Sequence, residues 1–144
     1  MDQRIEDLPP PTLVQTEAEL SRLLEAVGGD DAIAVDTEAD SFFSYRDKVC
    51  LIQVTAGGED WLVDPFAELD LGRFASVFED PGTVKIFHDA EYDVLILGRE
   101  YGFRFEGLFD TRVAAAVLGS QTPGLASVLE EEFGVRLDKS QQRS

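Results

Sequence analysis

The sequence predicts an α/β layer fold built on a mixed sheet, and three observations carry that expectation. Strand-like runs over residues 32–38, 49–55 and 60–63 follow one another with short connections, as in an antiparallel meander. From there on, segments with helical apolar spacing alternate with further strand-like runs. The second run, Val-Cys-Leu-Ile-Gln-Val-Thr, is apolar and β-branched enough for a central strand. Folds of this class hold their ligands at strand ends.

In chain order, residues 1–11 are acidic and proline-rich and read as an arm, and residues 12–144 as one domain. Thr12, Leu13 and Val14 suit a short edge strand. Thr16 and Glu19 have capping-box spacing ahead of Leu20, Leu23, Leu24 and Val27, which predicts a helix ended by Gly28-Gly29. After the three strands, Leu71, Phe74, Ala75 and Phe78 predict a helix over 71–78, stopped by Asp80-Pro81-Gly82 before a strand over 83–87. A helix over 90–101 follows, then a strand of mixed character over 103–109. Asp110 is placed to cap a helix over 111–118, and a last helix spans 125–133 before Gly134.

Composition narrows the function classes. At 144 residues and 44% hydrophobic content, one domain with a real core is expected. No apolar run approaches the ~20 residues of a membrane-spanning helix, and no signal peptide is evident, so a cytoplasmic protein without a membrane partner is expected. The single cysteine, Cys50, lies in an apolar run and reads as a buried thiol. A net charge of −17 argues against a basic nucleic-acid groove, because Lys and Arg drive nonspecific phosphate binding. It leaves room for a protein that reaches phosphates through bound divalent cations, and equally for one that never meets nucleic acid.

Ala32-Ile33-Ala34-Val35 runs straight into Asp36-Thr37-Glu38. Strand alternation points Asp36 and Glu38 the same way, with Cα atoms roughly 6.6 Å apart. Such a pair repels, so a bound cation or a proton is expected there; the alternative is a strand end turning into solvent. Asp93 sits among Tyr92, Val94 and Leu95, with Ile96 and Leu97 at i+3 and i+4, which turns this acid toward the packed side of its helix. A buried carboxylate calls for a cation, a basic partner or protonation. Oxygen-only ligation suits Mg²⁺ or Mn²⁺.

Five segments together resemble a known family: Val35-Asp36-Thr37-Glu38; Val49-Cys50-Leu51-Ile52-Gln53-Val54; His88-Asp89-Ala90-x-x-Asp93; Phe109-Asp110-Thr111; and Gly124-Leu125-Ala126-Ser127-Val128-Leu129 running on to Leu137-Asp138-Lys139-Ser140-Gln141-Gln142-Arg143-Ser144. In this order they are similar to ribonuclease D and its relatives, 3′-to-5′ exonucleases of the DEDD superfamily with a ribonuclease-H-like fold. The resemblance implies hydrolysis of the terminal phosphodiester at the 3′ end of RNA, or of single-stranded DNA, with two divalent cations as cofactors. It implies that Asp36 bridges the metals, that Glu38 serves the metal on the nucleophile side and also touches the terminal sugar, and that Asp93 holds the other metal. Thr37 and His88 fall on the substrate side of these motifs, with a structural hydrogen bond as the plainer role for His88. Phe42, Phe43 and Tyr45 either stack on terminal bases or serve as core or lid residues. Lys139, Gln141 and Arg143 either approach a substrate phosphate or belong to a frayed tail. Asp110 is a helix cap with room for a supporting role at the site.

One departure stands out. Members of the family carry a tyrosine followed four residues later by an aspartate, and no Tyr-x-x-x-Asp occurs in these 144 residues. The expectation is therefore a domain incomplete at its C-terminus and catalytically weak by itself. The rival expectations are a non-catalytic adaptor that keeps the fold for nucleic-acid or protein binding, and a carboxylate-pair hydrolase such as a glycosidase, against which the motif order argues.

Overall fold

Among the described residues, twelve segments of regular backbone follow the apolar pattern. They are β1 (Thr12–Val14), α1 (Glu17–Gly28), β2 (Ala32–Asp40), β3 (Lys48–Ala56), β4 (Glu59–Val63), a 3₁₀ turn (Leu71–Phe74) leading into α2 (Ala75–Glu79), β5 (Val84–Phe87), α3 (Ala90–Tyr101), β6 (Leu108–Asp110), α4 (Thr111–Val117) and α5 (Leu125–Phe133). The structure, a computed structural model, describes residues 8–40 and 47–137. The strands form one six-stranded sheet in the order β1-β4-β3-β2-β5-β6. β2, β3 and β4 pair antiparallel, as the meander requires. β1, β5 and β6 add to it in parallel.

Alternation decides which face is buried. Ile33 and Val35 of β2, Ile52 and Val54 of β3, Trp61 and Val63 of β4 and Phe87 of β5 share one core with Leu20, Leu23 and Val27 of α1 and Ile96 and Leu97 of α3. The capping box at α1 forms as expected: Glu19 N donates to Thr16 Oγ1 at 3.2 Å, and Gln15 N donates back to Glu19 Oε1 at 3.2 Å. On the opposite face Ala34, Asp36, Gln53, Thr55, Leu62 and Ile86 all keep solvent contact. They floor a trough of about 680 Å³ that Leu125 of α5 and Thr111 of α4 also border.

Three expectations need correction. The strand over 103–109 shrinks to Leu108–Asp110. Phe103 and Phe105, β-formers by type, instead pack against Phe78 with ring centroids 5.1 and 4.8 Å away. The helix over 71–78 divides into the 3₁₀ turn and α2. Cys50 is only partly buried, since it alternates away from Val49, and its thiol donates to Glu38 O at 3.3 Å. β3 is central in the sheet, as expected, and Leu51, Gln53 and Thr55 line its open side.

Lys85 is a buried cation with no counterpart in the sequence reading. It alternates onto the core face of β5, where it is fully buried. Its Nζ donates to Glu106 O at 3.0 Å and to Asp80 O, tying the turn before β5 to the segment before β6. Burial first, against the pull of Asp80 and Glu106, holds its pKa below the usual lysine value.

Candidate active site

The register of β2 creates the site. β5 accompanies β2 only from Ala32↔Val84 to Ala34↔Ile86, and beyond that point β2 is paired with β3 alone. Where β5 turns off into α3, the segment Asp36-Thr37-Glu38 is left with a free edge, and the first turn of α3 comes up beside it. Asp36 and Glu38 are exposed on one face while Thr37 is buried on the other. A register shift between Glu38 and Ala39 interrupts the pairing just after them, skipping Cys50 on β3, before it resumes with Ala39↔Val49 and Asp40↔Lys48.

Asp93 meets this edge from α3. It is 5% exposed, and its Oδ1 accepts a hydrogen bond from Thr37 Oγ1. Burial pushes its carboxyl up to about 6, opposed by the Thr37 hydrogen bond and assisted by the charge of Asp36. Asp36 is raised too, first by burial, with the Thr37 backbone hydrogen bond and the charge of His88 opposing. The charge of Asp36 thus reaches the Asp93 carboxyl across the edge of β2. Replacing Thr37 by Val removes a hydrogen bond to the ionised carboxylate, so Asp93 in Thr37→Val is expected to titrate above the wild-type value. A carboxyl ¹³C NMR titration of both proteins measures it.

The junction between β5 and α3 is held by the start of α4. Thr111 Oγ1 donates to Phe87 O at 3.1 Å and, having one proton, accepts from His88 Nδ1 at 2.8 Å. That makes Nδ1 the protonated nitrogen on this side of the ring, while Nε2 is buried with no hydrogen-bond partner among the described residues. Asp110 caps α4 through Arg112 N at 2.9 Å and Val113 N at 3.4 Å. The same carboxylate also reaches back to Asp89 N at 2.9 Å and Ala90 N at 2.8 Å. These backbone bonds outweigh burial and hold Asp110 below the usual carboxylate range.

The sequence-derived residues thus divide. Asp36, Thr37, Asp93, His88 and Asp110 come together around the β2 edge and the β5–α3 junction. Glu38 shares the face of Asp36, and among the described residues no three His, Cys, Asp or Glu side chains are grouped tightly enough to hold an ion. Phe42, Phe43, Tyr45, Lys139, Gln141 and Arg143 lie outside the described residues. The hydroxyl of Thr37 on Asp93, that of Thr111 on His88, and the reach of Asp110 to α3 had no local signal, because each joins elements distant in sequence. As a donor set, exposed and buried carboxylate oxygens fit hard divalent cations such as Mg²⁺ or Mn²⁺. No described helix is long and apolar enough to cross a membrane.

Comparison with known proteins gives the family and the fold. The sequence profile of a family described as 3′-5′ exonuclease matches residues 11–144. The chain is 36% identical over 133 residues to the exosome complex exonuclease RRP6 of Saccharomyces cerevisiae, covering 92% of this chain and 18% of that protein. It is 34% identical over 133 residues to ribonuclease D of Escherichia coli, covering 92% of this chain and 36% of that protein. The crystal structure of Escherichia coli RNase D superposes with a TM-score of 0.85 at 33% identity, over 94% of this chain and 36% of the other. The catalytic core of RRP6 from Trypanosoma brucei gives 0.84 at 31% identity, over 96% and 38%. The chain spans well under half the length of these relatives. With the ribonuclease-H-like fold and the profile in agreement, the chain belongs to the 3′-5′ exonuclease family, as a domain of the ribonuclease D and Rrp6 kind.

Proposed function

We propose that this domain removes nucleotides from the 3′ end of RNA, with Asp36, Glu38 and Asp93 as three carboxylates of a two-cation site. The observation that carries the reading is the buried Asp93 carboxyl, brought from α3 to the free edge of β2 beside Asp36, on the family's motif positions. Mg²⁺ or Mn²⁺ bound there supplies Lewis acidity to the scissile phosphodiester and offsets the negative charge of the site. Asp36, which borders the trough, and Glu38 are both solvent-facing. Asp93, held by Thr37, offers a carboxyl whose raised pKa reflects a charge awaiting compensation. His88, at the same junction, also borders the trough.

RNA is preferred over DNA in this reading because relatives above 30% identity bear the names ribonuclease D and exosome exonuclease. A Trypanosoma brucei RNase D of the same fold has been solved in complex with RNA U12. The strongly acidic surface fits a protein that reaches phosphates through cations instead of lysines. Without a Tyr-x-x-x-Asp to orient and deprotonate the attacking water, these 144 residues by themselves turn over slowly.

A 5′-labelled single-stranded RNA incubated with the domain and Mn²⁺ tests this. A slow ladder shortening from the 3′ end, abolished by EDTA, is expected. Turnover as fast as that of a full-length relative overturns the requirement for the missing motif. RNA or protein binding that is indifferent to EDTA and without any cleavage favours the adaptor instead.

A further inference from the structure

We infer that Asp110 is a positioning residue for Asp93: one carboxylate caps α3 and α4 together, and so sets where the first turn of α3 delivers the site acid. The inference rests on the reading of Asp93 as a site carboxylate. Helix α3 lacks a side-chain cap of its own. Its N-cap residue, Asp89, makes no side-chain capping bond and sits at φ 65°, in the left-handed region that a residue with a Cβ rarely enters. The free N–H groups at this helix start are instead taken by a residue from another element, Asp110, through Asp89 N at 2.9 Å and Ala90 N at 2.8 Å.

The register explains the reach. β6 pairs parallel with β5 so that Asp110 stands opposite Phe87, the last residue before the junction. Thr111, next in sequence, holds Phe87 O and His88 Nδ1. Two consecutive residues therefore grip four consecutive residues, from Phe87 to Ala90, immediately ahead of Asp93. A grip is needed there. Uncapped helix ends fray, and this first turn is the one that the Thr37–Asp93 hydrogen bond joins to β2. A carboxylate at two helix N-termini also carries the charge that both helix dipoles favour.

Asp110→Ser separates the two roles, because serine still caps its own helix but is too short and has too few acceptor oxygens to reach Asp89 N and Ala90 N. Asp110→Asn keeps the Oδ1 contacts and loses only the acceptor facing Ala90 N, so it supplies a milder variant should the serine protein fail to fold. Thr16→Ala removes the α1 cap, far from the site, as the control for general destabilisation. In Asp110→Ser the amides of Val94 and Leu95, the first hydrogen-bonded inside α3, are expected to lose about tenfold or more of their exchange protection relative to the control. Mn²⁺ affinity is expected to fall about tenfold, the scale for residues that orient metal ligands, and to stay unchanged in Thr16→Ala. Exchange at Val94 and Leu95 no different from the control overturns the inference, and so does an unchanged Mn²⁺ affinity. If the parent binds no Mn²⁺ but the two amides respond, the clamp on α3 stands and the cation reading of the site fails.

Discussion

Asp93→Asn is expected to be more stable than the parent protein at pH 8 in EDTA, although it removes a residue on which the proposed activity depends. Folding raises the Asp93 carboxyl from its ordinary value of 3.8 to about 6, so the native state holds the proton more tightly than the unfolded chain. Stability from this group is therefore fullest below its ordinary value and is lost as pH rises through about 6. A shift of this size corresponds to on the order of 3 kcal/mol of stability forgone at pH 8. Asparagine keeps an oxygen to accept from Thr37 Oγ1 and carries no charge to desolvate. Urea melts at pH 4 and pH 8 check the result. The two proteins are expected to be nearly equal at pH 4, and the variant ahead at pH 8. A variant less stable than the parent at pH 8 shows that ionised Asp93 is already compensated by the protein. The physical meaning is a site whose charges are held in place for a cation at the expense of the free fold.

Phe78→Ala is expected to cost about 3–5 kcal/mol, the range for removing a large buried aromatic and leaving a cavity. Phe78 is fully buried at the end of α2. Its ring stacks on Phe74 at 5.5 Å, meets Phe103 edge-on at 5.1 Å and lies 4.8 Å from Phe105. Phe105 in turn packs edge-on against Phe87 of β5, and Phe103 stacks on Tyr101 of α3. The cluster therefore joins α2, β5 and the end of α3. A loss of this size is a large share of the roughly 5–15 kcal/mol that holds a typical domain together. A thermal melt of Phe78→Ala and parent measures it. A loss below about 1 kcal/mol contradicts the placement of Phe78 at the centre of the cluster.

How much of this could be seen in the sequence depended on whether the cause was local. Asp36 and Glu38 were legible because a period of two fixes which side chains share a face of β2. Asp93 was legible because its apolar neighbours at helical spacing place it on the packed side of α3. The Thr16–Glu19 capping box and the Asp110 cap of α4 involve residues within four of each other, and both formed. What failed or went unseen was tertiary. Phe103 and Phe105 have the residue types of a strand, yet the aromatic cluster around Phe78 claims them. Lys85 reads as an ordinary charge in β5 until the carbonyls of Asp80, in the turn before it, and of Glu106, from a distant segment, close over it. Asp110 announces one helix by its position, and only the pairing of β6 with β5 brings it to a second.

The central claim is that the acidic edge of β2, with Asp93, is a divalent-cation site. Calorimetric titration of Mn²⁺ into the parent protein and into Asp36→Ala at pH 7.5 tests it most directly. The account predicts saturable binding to the parent and binding at least about tenfold weaker in the variant, a loss no smaller than that caused by residues standing behind metal ligands. Equal affinity in the two proteins, or no saturable binding to the parent, contradicts it.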